Sequence, residues 1–508
     1  MPFRFVSLWL ALAAPLPAAF EVTEATIAQI HAAMKAGELT CRELVSHYRR
    51  RIAAYDQNGP AINSIILVNP KVEAEAAELD RRFAHSGLTG PLHCIPIIVK
   101  DNFTTIGLQS ADGSLSLAGF VAKQDAYQVR RIKEAGALVL AKSNMAEFAF
   151  SPVETVSSIL PGYTRNPYAL DRVTAGSSGG TAAAVAASFG AVGLGTDTGN
   201  SIRGPSAHQA LAGIRSTMGL TSRGGVFPLN LLADIAGPMA RTLEDAVKVF
   251  DVIVGEDPND PATAASHGRA KETYASALDK DGLKGARLGI LRQAYEREGT
   301  DAEVVRVFAA ALEDLRRAGA VVVDAAQVEL PPRTAGGNAC MGFQYDLNQF
   351  LASLGDGVPV KSLAEIVKSR KFHPSVQVRL EQALRSPANG PASPECQAEA
   401  AYRQKFRDAV TGTMDELKLD GFVYPTWSNP PRLIGDLNTP GGDNSQVFSP
   451  ITGFPAITVP MGYTRGTLPA GMTFFGRAWS ELKLIRFASG YEQSTRWRHA
   501  PASVPPLR

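Results

Sequence analysis

Two blocks of glycine and serine frame a segment of small residues, and this arrangement constrains the fold more than any other feature of the chain. The first block is AGSSGG at residues 175–180, and the second is DTGNS at residues 197–201. Glycine lets the backbone take positive φ angles and approach another group closely. The residues between the blocks favour a packed helix and then a short apolar strand. We therefore predict two tight turns, which carry Ser177 and Ser201.

A lysine ends an apolar run upstream of these blocks. Residues 94–99 suit a buried strand, and Lys100 follows them directly. A serine hydroxyl is a poor nucleophile until a base takes its proton. A lysine can be that base only when it is uncharged, which burial favours. The two serines and Lys100 together suggest a hydrolase with no catalytic histidine, whereas the competing interpretation is a solvated lysine at a strand end.

Hydrophobic periodicity predicts helices that alternate with strands. Helical spacing covers residues 24–55, with Thr40 as an N-cap, and returns at 71–84, 125–135, 180–188 and 301–318. Strands are expected at 62–68, 94–99, 137–141, 191–195, 286–291 and 320–323. This alternation is typical of a sheet covered by helices, so we expect an α/β fold. The polar residues 257–271 are the best candidate for a loop between two halves.

Composition excludes several classes of protein. Apolar residues make up 45% of the chain and charged residues 20%, which argues against disorder and against a polytopic membrane protein. The 51 lysines and arginines nearly balance the 49 acidic residues, so a nucleic-acid partner is not expected. The eight histidines form no H-E-x-x-H motif, and we predict neither a metal nor a cofactor. The expected ligand is a small molecule.

The N-terminus and the cysteines bear on localisation. Residues 1–19 combine Arg4, an apolar stretch and small residues, which is typical of a secretory signal peptide. An apolar arm packed on the body of the protein is the alternative. We expect a secreted or periplasmic protein, with a cytoplasmic one as the alternative. Disulfides are possible in an exported chain, but spacing alone assigns no pairing to the four cysteines, Cys41, Cys94, Cys340 and Cys396.

Several blocks of the chain resemble the signature of the amidase signature family. They are IVKDN at 98–102, GSSGG at 176–180 and GTDTGNSIR at 195–203, supported by KSNMAEF at 142–148 and GFPAITVP at 453–460. Their order and spacing agree with the family over nearly the whole chain, from about Ile27 to Arg496. The resemblance implies a single large α/β domain at residues 20–500, with a central mixed, largely parallel twisted β-sheet covered by helices on both faces.

The resemblance also implies the roles of three residues. Ser201 matches the nucleophile that becomes acylated, Ser177 matches the bridging serine that follows a cis peptide bond, and Lys100 matches the neutral base. The expected reaction is hydrolysis of carboxylic acid amides to an acid and ammonia or an amine. A stand-alone amidase fits better than the tRNA amidotransferase subunit of the same family, because a signal peptide is expected.

Further residues match the surroundings of that triad in the family. The oxyanion hole corresponds to the backbone N–H groups of Thr198, Gly199, Asn200 and Ser201. Supporting positions are Ser178, Asp197 and Arg203, of which the last two resemble a buried polar pair. Asn200 departs from the second glycine of many members, which puts the shape of the pocket in doubt.

Two interpretations outside the family remain open. Residues 176–180 also fit G-x-S-x-G, which would make Ser178 the nucleophile of an α/β-hydrolase-like esterase with His373 or His499 as base. The glycine-rich turn before a helix could instead cradle a phosphate, although the G-x-x-x-x-G-K-[ST] spacing is absent. His208 is expected to have a packed or a surface role rather than a catalytic one.

The substrate side is less readable. Residues 258–440 are expected to form a variable, partly helical region, and 501–508 a flexible tail. Aromatic and apolar residues there suggest a pocket for apolar or aryl acyl groups, or simply core packing; they are Met341, Phe343, Tyr345, Phe350 and Trp427. A homodimer is possible.

Overall fold

A computed structural model describes residues 20–271, 273–324, 327–333, 340, 342–386 and 390–507. The expected signal peptide at 1–19 and the candidate pocket residue Met341 lie outside them. The strands are β1 Ile65–Val68, β2 Pro96–Lys100, β3 Leu138–Ser143, β4 Val192–Asp197, β5 Ala212–Arg215, β6 Ile235–Ala240, β7 Arg287–Ile290, β8 Val321–Val323, β9 Gly421–Pro425, β10 Ala456–Thr464 and β11 Leu468–Phe475.

The α-helices of the described residues follow the predicted amphipathic segments and add several more. They are α1 Ile27–Lys35, α2 Cys41–Tyr55, α3 Val72–Ser86, α4 Tyr127–Glu134, α5 Gly179–Ala186, α6 Arg203–His208, α7 Leu243–Ile253, α8 Ala302–Arg317, α9 Phe343–Ser353, α10 Leu363–Ser369, α11 Gln377–Arg385, α12 Pro394–Glu416, α13 Phe448–Thr452 and α14 Glu481–Thr495. Thr40 caps α2 through a capping box with Glu43, as predicted.

All strands join one 11-stranded sheet, in the order β1-β3-β2-β4-β6-β5-β10-β11-β9-β7-β8. Every residue of β2, β3, β4, β6 and β9 is buried. Since successive side chains of a strand point to opposite faces, both faces of this sheet are covered. The α/β fold with a central mixed sheet is therefore confirmed.

The expectation that the sheet is largely parallel needs correction. Among the described strands, four neighbouring pairs are parallel and six are antiparallel. The parallel pairs lie towards the two ends of the sheet. Five antiparallel pairs fill the middle, and the sixth, β1–β3, lies at one end. Residues 258–440, expected to be variable and partly helical, also contribute strands β7, β8 and β9 to this sheet.

Residues 501–507 lie against the body of the protein, whereas a flexible tail was expected at 501–508. Val504 is buried, and its carbonyl accepts a hydrogen bond of 2.7 Å from the guanidinium of Arg51. The same guanidinium binds the carbonyls of Pro505, Ala187 and Ser188. Arg51 is itself buried in α2, so the C-terminal segment supplies two of the four carbonyls that bind this buried charge.

Two disulfides form among the described residues. Cys41, at the start of α2, is bonded to Cys94, just before β2, and Cys340 is bonded to Cys396 in α12. No helix among the described ranges is long and apolar enough to cross a bilayer.

Candidate active site

The chain brings the lysine and the two serine blocks together at one edge of the sheet. Strands β2 and β4 are parallel neighbours, so Lys100 at the end of β2 and Asp197 at the end of β4 lie at the same edge. Ser177 and Ser178 directly precede α5, which packs against both strands. Glycine is required at position 180, because a Cβ there would lie 2.2 Å from the carbonyl oxygen of Asn144.

Lys100 and Ser177 form a direct contact. The Nζ atom of Lys100 lies 2.7 Å from Ser177 Oγ, and both residues are fully buried. Burial of the ammonium lowers the pKa of Lys100 to about 7, although the carboxylates of Asp112, Asp197 and Asp234 raise it. The peptide bond between Gly176 and Ser177 is cis. The two groups are close enough for a proton to pass between them, and the lowered pKa favours the uncharged amine that a serine–lysine relay needs.

Ser201 is near this pair, but its hydroxyl is not bonded to Ser177. Its carbonyl accepts from the Ser178 N–H at 3.3 Å, which fixes the start of the second block beside α5. Its Oγ instead lies 3.5 Å from Asn200 Oδ1. Within the described residues no hydrogen bond of 3.5 Å or less joins the two serine hydroxyls. The structure therefore forms the first link of the predicted chain and leaves the second unformed in this conformation.

The loop before Ser201 presents free donors. Within the described part of the chain, the backbone N–H groups of Thr198, Gly199, Asn200 and Ser201 donate to no protein acceptor. The Thr198 side chain is held by Asp234. Unpaired N–H groups on one loop suit an anionic oxygen.

Asp197 holds that loop through a buried ion network. Arg203 Nε lies 3.0 Å from Asp197 Oδ2, and Arg215 Nη1 lies 3.0 Å from Oδ1. Burial of the carboxyl raises its pKa, but the charges of the two arginines outweigh this and hold the pKa of Asp197 at about 2. Arg203 also donates to the Gly199 carbonyl at 2.6 Å. The carboxylate thereby connects the loop to α6 and β5.

Ser178 supports the backbone. Its Oγ donates to the Thr196 carbonyl at 3.1 Å and accepts from the Thr196 N–H at 3.3 Å. The two histidines proposed as its base lie elsewhere: His373 bonds Ser375, and His499 stacks on Tyr463 at 4.1 Å. The esterase interpretation with Ser178 as nucleophile therefore has no geometric support.

His208, the last residue of α6, is packed in the interior, which is one of its two expected roles. Its ring lies 4.8 Å from that of Trp427, and burial lowers the pKa of His208 to about 3, so it stays neutral. Trp427 is also buried against Gly204. Both rings are buried, which fits the alternative interpretation of Trp427 as a residue of the core.

Two cavities are lined by residues that follow Lys100 at the end of β2. The larger, of about 950 Å³, is lined by Tyr345 and Phe350 but by none of the triad residues. The smaller, of about 10 Å³, is lined by Asn102, Thr196 and Thr198 beside the triad, and it shares Arg223 and Val226 with the larger one. Phe343, the remaining described candidate, is buried in a cluster with Phe148 and Phe150.

Sequence reasoning missed four residues of the site. Asn102 and Thr196 lie inside the recognised blocks 98–102 and 195–203, and this position is the signal that marks them. Asp234 and Arg215 lie outside those blocks, and nothing in the local sequence marks them as partners of the loop.

Comparison with known proteins adds an independent line of evidence. A family profile described as Amidase matches residues 43–485. A probable amidase of Arabidopsis thaliana is 33% identical over 96% of this chain and 93% of its own length. A glutamyl-tRNA(Gln) amidotransferase subunit of Acinetobacter baumannii is 32% identical, covering 94% and 98% of the two chains.

Solved structures give the same picture. The native peptide amidase of Stenotrophomonas maltophilia is 37% identical and superimposes with a TM-score of 0.82, covering 94% of this chain and 98% of that one. An amidase family protein from Bacillus anthracis is 30% identical with a TM-score of 0.83, covering 94% and 92%.

Proposed function

Because this chain belongs to the amidase family, we propose that it hydrolyses carboxylic acid amides to an acid and ammonia or an amine through an acyl-enzyme on Ser201. The observation that carries this proposal is the buried contact of 2.7 Å between Lys100 Nζ and Ser177 Oγ. A lysine in that setting can hold a lone pair near neutral pH, which an exposed lysine cannot.

Acylation begins with a rotation of the Ser201 side chain from Asn200 towards Ser177. Ser201 Oγ then attacks the amide carbon, its proton passes to Ser177, and the Ser177 proton passes to Lys100. As the carbon–nitrogen bond breaks, the lysine returns a proton to the leaving nitrogen through Ser177. Ammonia or an amine leaves, and the acyl group stays on Ser201.

Deacylation repeats this route with water. Water attacks the ester carbon of the acyl-enzyme, gives one proton to the relay, and releases the acid as Ser201 recovers its hydrogen. In both halves the free N–H groups of Thr198, Gly199, Asn200 and Ser201 stabilise the oxygen that becomes negative.

The substrate is a small-molecule amide with an apolar or aryl acyl group. Support comes from Phe120, Tyr345 and Phe350 in the lining of the 950 Å³ cavity. Charged side chains line it too, and it adjoins the small cavity beside the triad at Arg223 and Val226. Similarity to peptide amidase makes peptide amides the first substrates to test. Faster cleavage of short polar amides than of aryl amides would reject this preference.

An amidotransferase component is the second candidate function, because those relatives match 94% of the chain. Such a component would depend on partner chains, whereas a stand-alone amidase acts by itself. Turnover of amides by the purified chain decides between the two. A homodimer stays a prediction, which a measurement of molar mass in solution would test.

We also propose that the protein is exported. The apolar residues 5–14 support this, as do the two disulfides, because disulfides persist mainly in oxidising compartments. Mass spectrometry of the mature chain from its host would show removal of residues 1–19, and an intact N-terminus would contradict it.

The decisive experiment compares the wild type with Ser201→Ala and Ser178→Ala on a panel of amides, anilides, carbamates and esters. We expect Ser201→Ala to lose turnover and Ser178→Ala to keep part of it. Substantial amide turnover by Ser201→Ala would overturn the proposal.

A further inference from the structure

The amine of Lys100 has a second neighbour besides Ser177. Thr196 Oγ1 lies 2.6 Å from Lys100 Nζ, and Asn102 Nδ2 donates to the same oxygen at 3.0 Å. All three residues are buried. Lys100 is the last residue of β2 and Asn102 follows shortly after it, whereas Thr196 belongs to the parallel neighbour β4. A short row of hydrogen bonds thus runs from Asn102 through Thr196 and Lys100 to Ser177.

A base must present its lone pair to the proton that it takes. An uncharged primary amine has two hydrogens and one lone pair, and rotation about its last carbon–nitrogen bond exchanges them. Productive transfer requires the lone pair to face Ser177, so a hydrogen must face Thr196. Were the Thr196 hydroxyl to offer its own proton to the amine, it would compete with Ser177 for that lone pair.

We propose that Thr196 is a positioning residue that accepts a hydrogen of the Lys100 amine and so aims the lone pair at Ser177, and that Asn102 holds Thr196 in this accepting orientation. This inference rests on the proposed function. A hydroxyl has one proton and two lone pairs. One lone pair of the Thr196 hydroxyl accepts from the Asn102 amide, and the other accepts from the Lys100 amine.

The charged groups around Lys100 cannot supply this orientation. Asp197 is occupied by Arg203 and Arg215. Asp234 accepts from the Thr198 hydroxyl and from two backbone N–H groups, and Asp112 acts on the lysine only through its charge. Among the described residues, Ser177 and Thr196 are the two that bond Lys100 Nζ directly.

Thr196→Val keeps the shape of the side chain and removes the hydroxyl. We expect kcat to fall about 10- to 100-fold, a part of the roughly 10²- to 10⁴-fold that acid–base catalysis contributes. KM should change less than about twofold, because the Thr196 hydroxyl is bonded to Lys100 and Asn102. The acid midpoint of the pH–kcat profile should also move to lower pH, because the ammonium loses an acceptor that favours the charged form.

Thr196→Ser restores the hydroxyl and should recover most of kcat and the original midpoint. Asn102→Leu should lower kcat in the same direction but less than Thr196→Val. The matched control is Thr458→Val, another buried strand threonine with its hydroxyl bonded to Thr473, and it should leave kcat and the midpoint unchanged.

The outcomes separate this inference from the proposed function. If the wild type cleaves amides and Thr196→Val keeps full kcat with the same midpoint, the positioning role is wrong. The positioning role is also wrong if Thr196→Val and Thr196→Ser lose kcat equally and neither shifts the midpoint of the pH profile. That result would indicate a packing defect at position 196. If the wild type cleaves no amide at all, the proposed function fails instead.

Discussion

Arg203 donates hydrogen bonds to the Asp197 carboxylate from both its side chain and its main chain. The guanidinium places Nε at 3.0 Å from Oδ2 and Nη2 at 3.2 Å from Oδ1, while the Arg203 N–H also reaches Oδ2 at 3.3 Å. Both side chains have no exposed surface. The loop that carries the free N–H groups lies between these two residues, so its conformation depends on the pair.

Replacing Asp197 should therefore destabilise the whole fold. Asp197→Asn leaves Arg203 and Arg215 buried without a counter-charge, and loss of one partner from a buried pair costs about 3–5 kcal/mol. Urea unfolding measures the change in free energy. Glu313→Gln, in an exposed pair with Arg316, is the control and should change stability by less than about 1 kcal/mol. Equal midpoints for Asp197→Asn and the wild type would contradict the structure.

Amide hydrolysis should depend on pH through Lys100. Burial lowers its pKa to about 7, so the amine is free above that pH and charged below it. Activity should thus fall as the pH drops through 7, and the measurement is kcat/KM between pH 5 and pH 9. A rate that stays constant down to pH 5 would exclude a neutral lysine as the base. Lys100→Ala should lose activity at every pH in the range.

Asn200 should be replaceable by glycine without loss of turnover. Its φ angle is not in the left-handed region, so the backbone there does not depend on asparagine. Removal of its side chain takes away the acceptor 3.5 Å from Ser201 Oγ, which favours the orientation towards Ser177. We expect kcat of Asn200→Gly to equal that of the wild type or to exceed it by a few-fold. A tenfold loss would mean that the amide takes part in the reaction.

The disulfide between Cys41 and Cys94 should contribute strongly to stability. It ties the start of α2 to the segment before β2, and removal of a native disulfide typically costs about 2–5 kcal/mol. The double variant Cys41→Ser, Cys94→Ser should unfold at a lower temperature than the wild type in a thermal scan. An unchanged unfolding temperature would show that the bridge does not form in solution.

The outer parts of the sheet were predictable because their strands are apolar runs between helices. Strands β2, β3 and β4 all fall at predicted segments. The antiparallel strands in the middle of the sheet were not predictable in this way. Strand β6 contains Gly237 and Pro238, and β10 contains Pro460 at a bulge. Glycine and proline are usually signals against a strand. Missing these strands made the sheet look more parallel than it is.

The candidate site was predictable where the recognised blocks hold both partners of a contact. The contact of Lys100 with Ser177 follows from the resemblance, and the structure forms it. Arg215 was unpredictable, because a basic residue on a short strand has no local mark of the carboxylate that it meets across the sheet. The contact of Ser201 Oγ with Asn200 depends on one side-chain rotation, which no sequence pattern records.

The contacts of Val504 and Pro505 with Arg51 make the C-terminal segment part of the fold. Their two carbonyls supply half of the acceptors of a buried guanidinium, and Ala187 and Ser188 supply the other half. Removal of residues 504 and 505 would leave this buried cation with two acceptors, which lowers the free energy of unfolding. An affinity tag placed behind this segment therefore needs a spacer that leaves both carbonyls in position.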